Sequence, residues 1–207
     1  TTTISVPIDA GSVTASGFGL IDDAPINTGN VEGTVTYHIT PNNGGCNGIP
    51  VDLVVTVKPL PSVSGSDFTI CSGQTAFINI DPSPINVAGT TFSWTALPSA
   101  NITAATNGNG STINQLLTTT NASIGTVTYN ITPFANGCAG PVEVIFATVN
   151  PVATVNARLD FPVCEPASFP VTGEIGGKAS VGTWSIFEGA GSISSSTTAA
   201  GIVTATY

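Results

Sequence analysis

A nine-residue pattern, Gly-Thr-Val-Thr-Tyr-x-Ile-Thr-Pro, occurs twice in this chain, at residues 33–41 and again at residues 125–133. Each copy is followed by a Gly-Cys pair, at 45–46 and at 137–138. The copies are 92 residues apart, a period that fits one β-sandwich module of about 100 residues. We therefore interpret the chain as part of a tandem array, an arrangement typical of proteins that span distance or display surface.

Apolar and polar side chains alternate along each copy of the pattern. Val127, Tyr129 and Ile131 fall on one face of the second copy, and Tyr37 takes the position of Tyr129 in the first. The alternation predicts strands with one face toward a core and one toward water, so both tyrosines are expected in the core. No stretch of helical periodicity is longer than about two turns. The sequence therefore predicts an all-β fold of tandem β-sandwich modules in an elongated array.

Turn residues and prolines divide the chain into three modules. The first module, residues 1–59, holds the later part of the strand pattern, and we expect its opening strands to precede residue 1. The second module, residues 60–152, holds the whole pattern, and the third, residues 153–207, begins a pattern that differs in sequence. Strands of the second module are predicted at 75–80, 91–95, 111–117, 126–132 and 142–149. Prolines at both junctions predict short, extended links with little swing between modules.

The charge balance excludes several kinds of partner. The chain has 12 acidic residues against three basic ones, and a formal net charge of −9. Nothing in such a chain could neutralise the phosphates of a nucleic acid, and an anionic membrane surface would repel it. No apolar stretch approaches the roughly 20 residues of a transmembrane helix. The expected partners are neighbouring repeats of the same chain, together with surface glycans or other cell-surface proteins.

The sequence also shows no obvious combination of catalytic residues. The chain has one histidine, His38, and no Ser-His-Asp or Cys-His set is apparent, so we do not expect acyl-transfer chemistry. Small sandwiches with short loops offer no deep cleft for a glycosidase carboxylate pair. We predict that the chain is not an enzyme.

Several segments resemble a known family. They are Ile-Cys-Ser-Gly-Gln-Thr at 70–75, Gly-Thr-Thr-Phe-Ser-Trp at 89–94, and the pattern at 125–133 with Asn-Gly-Cys at 136–138. Together they resemble the PKD-like, immunoglobulin-like repeats of very large Bacteroidetes surface proteins, and most of all gliding-motility adhesins exported by the type IX system. The resemblance implies a stalk on the cell surface and offers no catalytic residues to carry over.

The four cysteines are Cys46, Cys71, Cys138 and Cys164. None forms a CxxC motif, and a single histidine excludes the usual zinc patterns. One cysteine at a similar place in each repeat suggests disulfides and an extracellular location. Within the complete module the pair would be Cys71 and Cys138, and their bridge would contribute about 4 kcal/mol. In simple immunoglobulin strand order these positions lie at opposite ends of the sandwich, and the alternative is two buried free thiols. Partners of Cys46 and Cys164 are expected outside the chain.

Two further features have a functional and a structural interpretation. Trp94 and Trp184 are predicted mid-strand, where a core tryptophan is favoured over an aromatic platform for a sugar. Asp22 and Asp23 form the densest acidic spot and could bind calcium together with loop carbonyls. Because neighbouring strand residues point to opposite faces, both carboxylates could bind one ion only from a loop, and solvated edge charges are the favoured interpretation. No other cofactor is predicted.

Three functions stay open on the sequence. The favoured one is a structural stalk or filament segment of a large bacterial cell-surface adhesin, involved in gliding motility or surface attachment. The second is a glycan-binding accessory module of a secreted polysaccharide-degrading enzyme, which would need a coplanar pair of exposed rings among Phe18, Phe134, Phe161 and Phe187. The third is a self-assembling extracellular filament subunit, whose edge strands would pair between chains.

Overall fold

The computed structural model describes residues 2–14, 17, 19–157, 162, 164, 168–188, 192–193, 195–199 and 201–206. Strands dominate this part of the chain, and its only helical segment is a 3-10 turn at Ala10–Ser12. The predicted all-β class is confirmed.

The described part of the first module contains five strands: β1 (Thr2–Ile4), β2 (Gly33–Ile39), β3 (Asn42–Asn43), β4 (Cys46–Asn47) and β5 (Val51–Val57). The second contains nine: β6 (Phe68–Cys71), β7 (Gln74–Asn79), β8 (Thr91–Pro98), β9 (Ile102–Thr103), β10 (Gly108–Asn109), β11 (Thr112–Thr119), β12 (Gly125–Ala135), β13 (Cys138–Ala139) and β14 (Glu143–Asn150). The described part of the third contains four: β15 (Thr154–Asn156), β16 (Pro170–Gly176), β17 (Ser195–Ala199) and β18 (Ile202–Thr206).

The second module is a two-layer sandwich. One sheet has the order β10-β8-β12-β14-β6, and the other has the order β7-β11-β9. Within the first sheet β6 runs parallel to β14, while the other pairs are antiparallel. The core between the layers contains Val63, Ala76, Ile80, Phe92, Trp94, Ala96, Ile102, Ile113, Leu117, Val127, Tyr129, Ile131, Ile145, Ala147 and Val149. Burial of these apolar side chains is the main force that holds the two sheets together.

The first module repeats one sheet of that sandwich. Its strands pair in the order β1-β2-β5, and Tyr37 on β2 lies opposite Leu53 as Tyr129 lies opposite Ile145. Its buried apolar cluster is small and consists of Ile8, Val35 and Tyr37. In the described residues no second sheet covers this one, so much of its inward face is exposed.

Local hydrogen bonds show how closely the two modules correspond. The Ser5 hydroxyl accepts from the Thr34 amide at 2.7 Å, and the Ser99 hydroxyl accepts from the Thr126 amide at 3.0 Å. Gly33 and Gly125 are both too close to an isoleucine side chain for a Cβ atom. The repeat therefore preserves hydrogen-bond geometry as well as the alternation of side chains.

The third module is a four-stranded sheet in the order β15-β16-β18-β17. Its buried apolar residues include Val203 and Ala205. Trp184, predicted to lie mid-strand, is in an irregular segment and is half-buried, so that prediction is wrong. The residues on either side of Trp184 pair with no described strand.

Candidate functional site

The junctions between modules are the first candidate site, because an array depends on them. Lys58 Nζ donates to the carbonyl oxygen of Asn136 at 2.8 Å, which ties the end of the first module to the hairpin of the second. Pro59 and Pro61 are fully buried beside this contact. A Cβ atom on Gly140 would lie 1.8 Å from the carbonyl oxygen of Pro61. The backbone at the first junction is therefore packed closely enough to require glycine.

The second junction has a similar contact. Pro151 is buried, and a Cβ atom on Gly177 would lie 1.8 Å from the carbonyl oxygen of Val152. Gly177 also has a φ of +65°, a left-handed conformation that favours glycine. Both junctions thus place a glycine directly against the backbone that links the modules. Gly140 has a counterpart in Gly48, so comparing the repeats would have found it, whereas Gly177 has no such signal.

Each of the first two modules also contains a tyrosine hydroxyl that donates to a side-chain oxygen outside its own sheet. Tyr37 donates to Asp23 Oδ2 at 2.8 Å, and Tyr129 donates to Gln115 Oε1 at 2.9 Å. Burial raises the pKa of Tyr129 to about 12. Desolvation, followed by the hydrogen bond to Asp23, raises the pKa of Tyr37 above its ordinary value.

Asp23, one of the two residues of the predicted calcium site, is already engaged in hydrogen bonds within the module. Asp23 accepts hydrogen bonds from the hydroxyl groups of Thr14, at 2.5 Å, and Tyr37. The bonds from Thr14, with a smaller contribution from Tyr37, lower the pKa of Asp23. Asp22 is exposed. Within the described ranges no group of three or more His, Cys, Asp or Glu side chains could hold a metal ion, so the calcium hypothesis for Asp22 and Asp23 gains no support.

The predicted Cys71–Cys138 disulfide is absent, since all four cysteines are free thiols. Strand register explains why. Cys71 lies opposite Asn150, next to the Gly125 end of β12, whereas Cys138 pairs with Ala135 at the other end. Ten residues of strand separate those ends by roughly 30 Å, while the Cα atoms of a disulfide lie within about 7 Å. The prediction is wrong, and the cysteines no longer argue for an oxidising compartment.

The two tryptophans differ in how their indole groups are satisfied. Trp94 packs on Gly108 and donates from Nε1 to the carbonyl oxygen of Thr106 at 3.2 Å. Trp184 packs on Gly173 and lines an apolar cleft of about 260 Å³ with Ile175 and other residues of the third module. Its Nε1 atom is buried without a hydrogen-bond partner. The cleft is lined by residues of this sheet and of the irregular segment at residues 179–184, and none of these residues carries a charge.

Exposed aromatic rings test the glycan-binding alternative. Phe18 and Phe161 lie outside the described residues. Phe134 and Phe187 are exposed, as is Phe146, which lies opposite Thr128 on β12. Phe134 is six residues farther along that strand, roughly 20 Å away, which is too far for Phe134 and Phe146 to flank one sugar ring. Phe134 contributes to an open cleft of about 480 Å³ with Thr90, Phe92 and Asn109.

The structure also brings together a set of three polar side chains that the sequence did not suggest. His38 Nδ1 lies 2.5 Å from Asp52 Oδ1, and its Nε2 lies 3.2 Å from the hydroxyl of Thr3. The three residues sit side by side on neighbouring strands of an exposed sheet face, and neither described cleft includes them. Acyl transfer needs a substrate pocket as well as a nucleophile and a base, so we interpret the set as a cross-strand surface network.

Comparison with known proteins identifies the class. Residues 6–61 and 68–153 match the PKD-like domain, so more than half of the chain is covered and the chain belongs to this family. The matched domain is not catalytic, and PKD-like domains are usually found in extracellular or cell-surface proteins. A comparison with curated proteins found no match. In the described part of the chain, no helix is long and apolar enough to cross a membrane.

Proposed function

We propose that the chain is a structural stalk segment of a large bacterial cell-surface adhesin, of the kind used in gliding motility or surface attachment. The observation that carries the proposal is the close packing at both junctions, where Gly140 and Gly177 lie against the linking backbone. Modules that are fixed to their neighbours in this way transmit force and hold a distal tip away from the cell. The function needs no catalytic residue.

Surface chemistry supports the same proposal. Hydroxyl and amide side chains take the place of charges on the wet faces, and only 7% of residues are charged, so hydration depends little on ionic strength. Trypsin-like proteases have three basic sites, Lys58, Arg158 and Lys178, and Lys58 is held in the junction by Asn136. An exposed extracellular stalk benefits from both properties.

Small-angle X-ray scattering tests the stalk. A compact globule of this length would have a radius of gyration of about 17 Å. Three modules end to end, each roughly 35 Å long, should exceed about 25 Å. A Gly140→Val variant, which disrupts the first junction, should change the scattering profile at intermediate angles. A radius near that of a globule for the unaltered chain would contradict the proposal.

The location is tested separately. In a bacterium that carries the parent protein, antibodies raised against the second module should label intact cells. Labelling that appears only after the cells are permeabilised would exclude a surface stalk, whatever the scattering shows.

A further inference from the structure

The second module has an open cleft of about 480 Å³ at the end of the β10-β8-β12-β14-β6 sheet where β12 leads into β13. We call it the Phe134 cleft, and its lining includes Thr91, Ser93, Asn109, Ser111 and Phe134. All of the described residues that line it belong to the second module.

Strand register places the cleft on the outer face of the sheet. The residues on either side of Ser93 are buried, so Ser93 and Thr91 point away from the core. Asn109 on β10 lies opposite Ser93, and Phe134 on β12 lies opposite Thr91. Because β8 runs between β10 and β12, Asn109 and Phe134 are on strands roughly 10 Å apart. They form two sides of the cleft, with Ser93 between them.

The fold does not require an aromatic ring at position 134. The counterpart of Phe134 in the first repeat, 92 residues earlier, is Asn42. Asn42 lies opposite Asn47 just as Phe134 lies opposite Ala139, so the same hairpin forms with either residue. Phe134 is 47% exposed and adds apolar surface to the outside of the second module alone of these two.

Backbone contacts hold the cleft in shape. The hydroxyl of Thr91 donates to the carbonyl oxygen of Phe134 at 3.3 Å, which ties β8 to β12. The amide of Gly110 donates to the carbonyl oxygen of Phe92 at 3.0 Å, which ties the turn after β10 to β8. A ligand would therefore meet a surface that needs little ordering on binding, and this lowers the entropic cost of the complex.

The polar groups of the cleft are uncharged. Ser93, Asn109 and Ser111 are exposed, and their side chains form no hydrogen bond with other described residues. None of the described lining residues carries a charge. Hydroxyl and amide groups both donate and accept, while an aromatic ring offers a flat apolar surface. This combination fits a sugar ring, which has C–H groups on its faces and hydroxyl groups around its edge.

Two other classes of ligand fit the cleft less well. An acidic polysaccharide would meet no basic group among the lining residues, and a chain with a net charge of −9 would repel it. A proline-rich peptide docks in a groove lined by several aromatic rings. Another exposed ring on this face, Phe146, is roughly 20 Å from Phe134 along the strands.

We propose that the Phe134 cleft binds a neutral oligosaccharide. One sugar ring stacks on Phe134, and its hydroxyl groups bond to Ser93, Asn109 and Ser111. A single ring suffices because the polar groups beside it fix the orientation of the ligand. The inference goes beyond the stalk, since modules that act as a spacer need no ligand and a sugar-binding module needs no neighbours.

The probes are four neutral oligosaccharides, namely cellohexaose, maltohexaose, mannohexaose and chitohexaose, each titrated into the isotope-labelled full chain. Hexagalacturonate is the acidic control. We expect at least one neutral probe to shift the amide resonances of residues 91–93, 109–111 and 134, and the acidic control to leave them in place. If no neutral probe binds at concentrations up to about 10 mM, the proposal is wrong.

A matched pair of variants assigns the site. Phe134→Asn copies the residue of the first repeat and should weaken binding of the neutral probe at least about tenfold. Phe146→Asn makes the same change at a ring that is also 47% exposed on the same face, and binding should be unchanged. Asn109→Ala, at an exposed position on another strand, should weaken binding about threefold to tenfold.

Two further outcomes overturn the proposal. Binding that Phe134→Asn leaves unchanged, or that Phe146→Asn weakens as much, would place the sugar outside the cleft. Tighter binding of hexagalacturonate than of every neutral probe would show that the ligand is acidic. Scattering tests the stalk in the absence of sugar, so failure of one proposal is distinguishable from failure of the other.

Discussion

The first and second modules share a local hydrogen-bond pattern but differ in how much of it is buried. The hydroxyls of Ser5 and Ser99 each accept a hydrogen bond from the amide at the same repeat position. Tyr37 and Tyr129 each donate to a side-chain oxygen. Yet Leu53 is half-exposed where Ile145 is buried. The comparison teaches that strand pairing and turn geometry follow from the repeat itself, whereas burial requires an opposing sheet and a strand along β14.

The largest effect is expected when the side chain at one equivalent position is truncated to alanine in each of the two modules. Ile145→Ala should destabilise the second module by about 2–5 kcal/mol, because it empties a closed core. Leu53→Ala should destabilise the first by less than about 1 kcal/mol, because half of that side chain is already in water. Denaturant unfolding followed by Trp94 fluorescence, in a Trp184→Phe background, reports the first change, and amide exchange along β2 reports the second. Equal losses would show that the first module is covered in solution.

A second test uses the paired glycines. Gly140→Ala should cost about 1–3 kcal/mol or more, because its Cβ atom would lie 1.8 Å from the carbonyl of Pro61. Gly48→Ala should cost less, because its Cβ atom would lie no closer than 2.9 Å to any atom, the nearest being in the side-chain ring of Pro41. Calorimetry of both variants measures the difference. A Gly140→Ala variant as stable as the unaltered chain would argue against the close junction.

A third test uses the buried tyrosine. Tyr129→Phe removes the bond to Gln115 and should cost about 1 kcal/mol. The pKa of Tyr129 is about 12 in the folded chain, above its unfolded value of about 10. Its contribution to stability is therefore complete below pH 10 and is lost as the pH rises toward 12. Absorbance at 295 nm should show one tyrosine ionising only with unfolding, and Tyr129→Phe should remove that step.

The smallest expected effect concerns acid. The pKa of Asp23 is lowered below its ordinary value of 3.8, so its contribution to the first module is present above that pH and is lost as the pH falls through the folded pKa. Gln115, the counterpart in the second module, does not titrate. Amide exchange near Tyr37 should therefore accelerate below pH 3.8 before exchange near Tyr129 does. Asp23→Asn should remove the difference, and acceleration that persists in this variant would assign it to another group.

Much of the fold could be predicted from the sequence. The strand predicted at 126–132 is found within Gly125–Ala135, and the one at 142–149 is found at Glu143–Asn150. Alternation of apolar and polar residues with a period of two identifies such strands, because successive side chains point to opposite faces of the sheet. The glycine at 140 could also have been found, since Gly48 takes the same place in the first repeat.

Other parts of the candidate site could not be predicted. Asp23 is 14 residues from Tyr37 in a segment without regular structure, and only the folded chain shows that the two bond. The set of Thr3, His38 and Asp52 depends on three strands being neighbours in the order β1-β2-β5. Spacing along the chain contains no such information.

The sequence by itself determined the repeat, the β class and the inward face of each long strand, because those properties depend on residues close together in the chain. Only the tertiary structure decided that Cys71 and Cys138 lie at opposite ends of β12, and that β6 pairs in parallel with β14. Both results depend on which strands become neighbours. Neighbours are chosen by long-range packing between sheets, and a pattern with a period of two residues does not specify them.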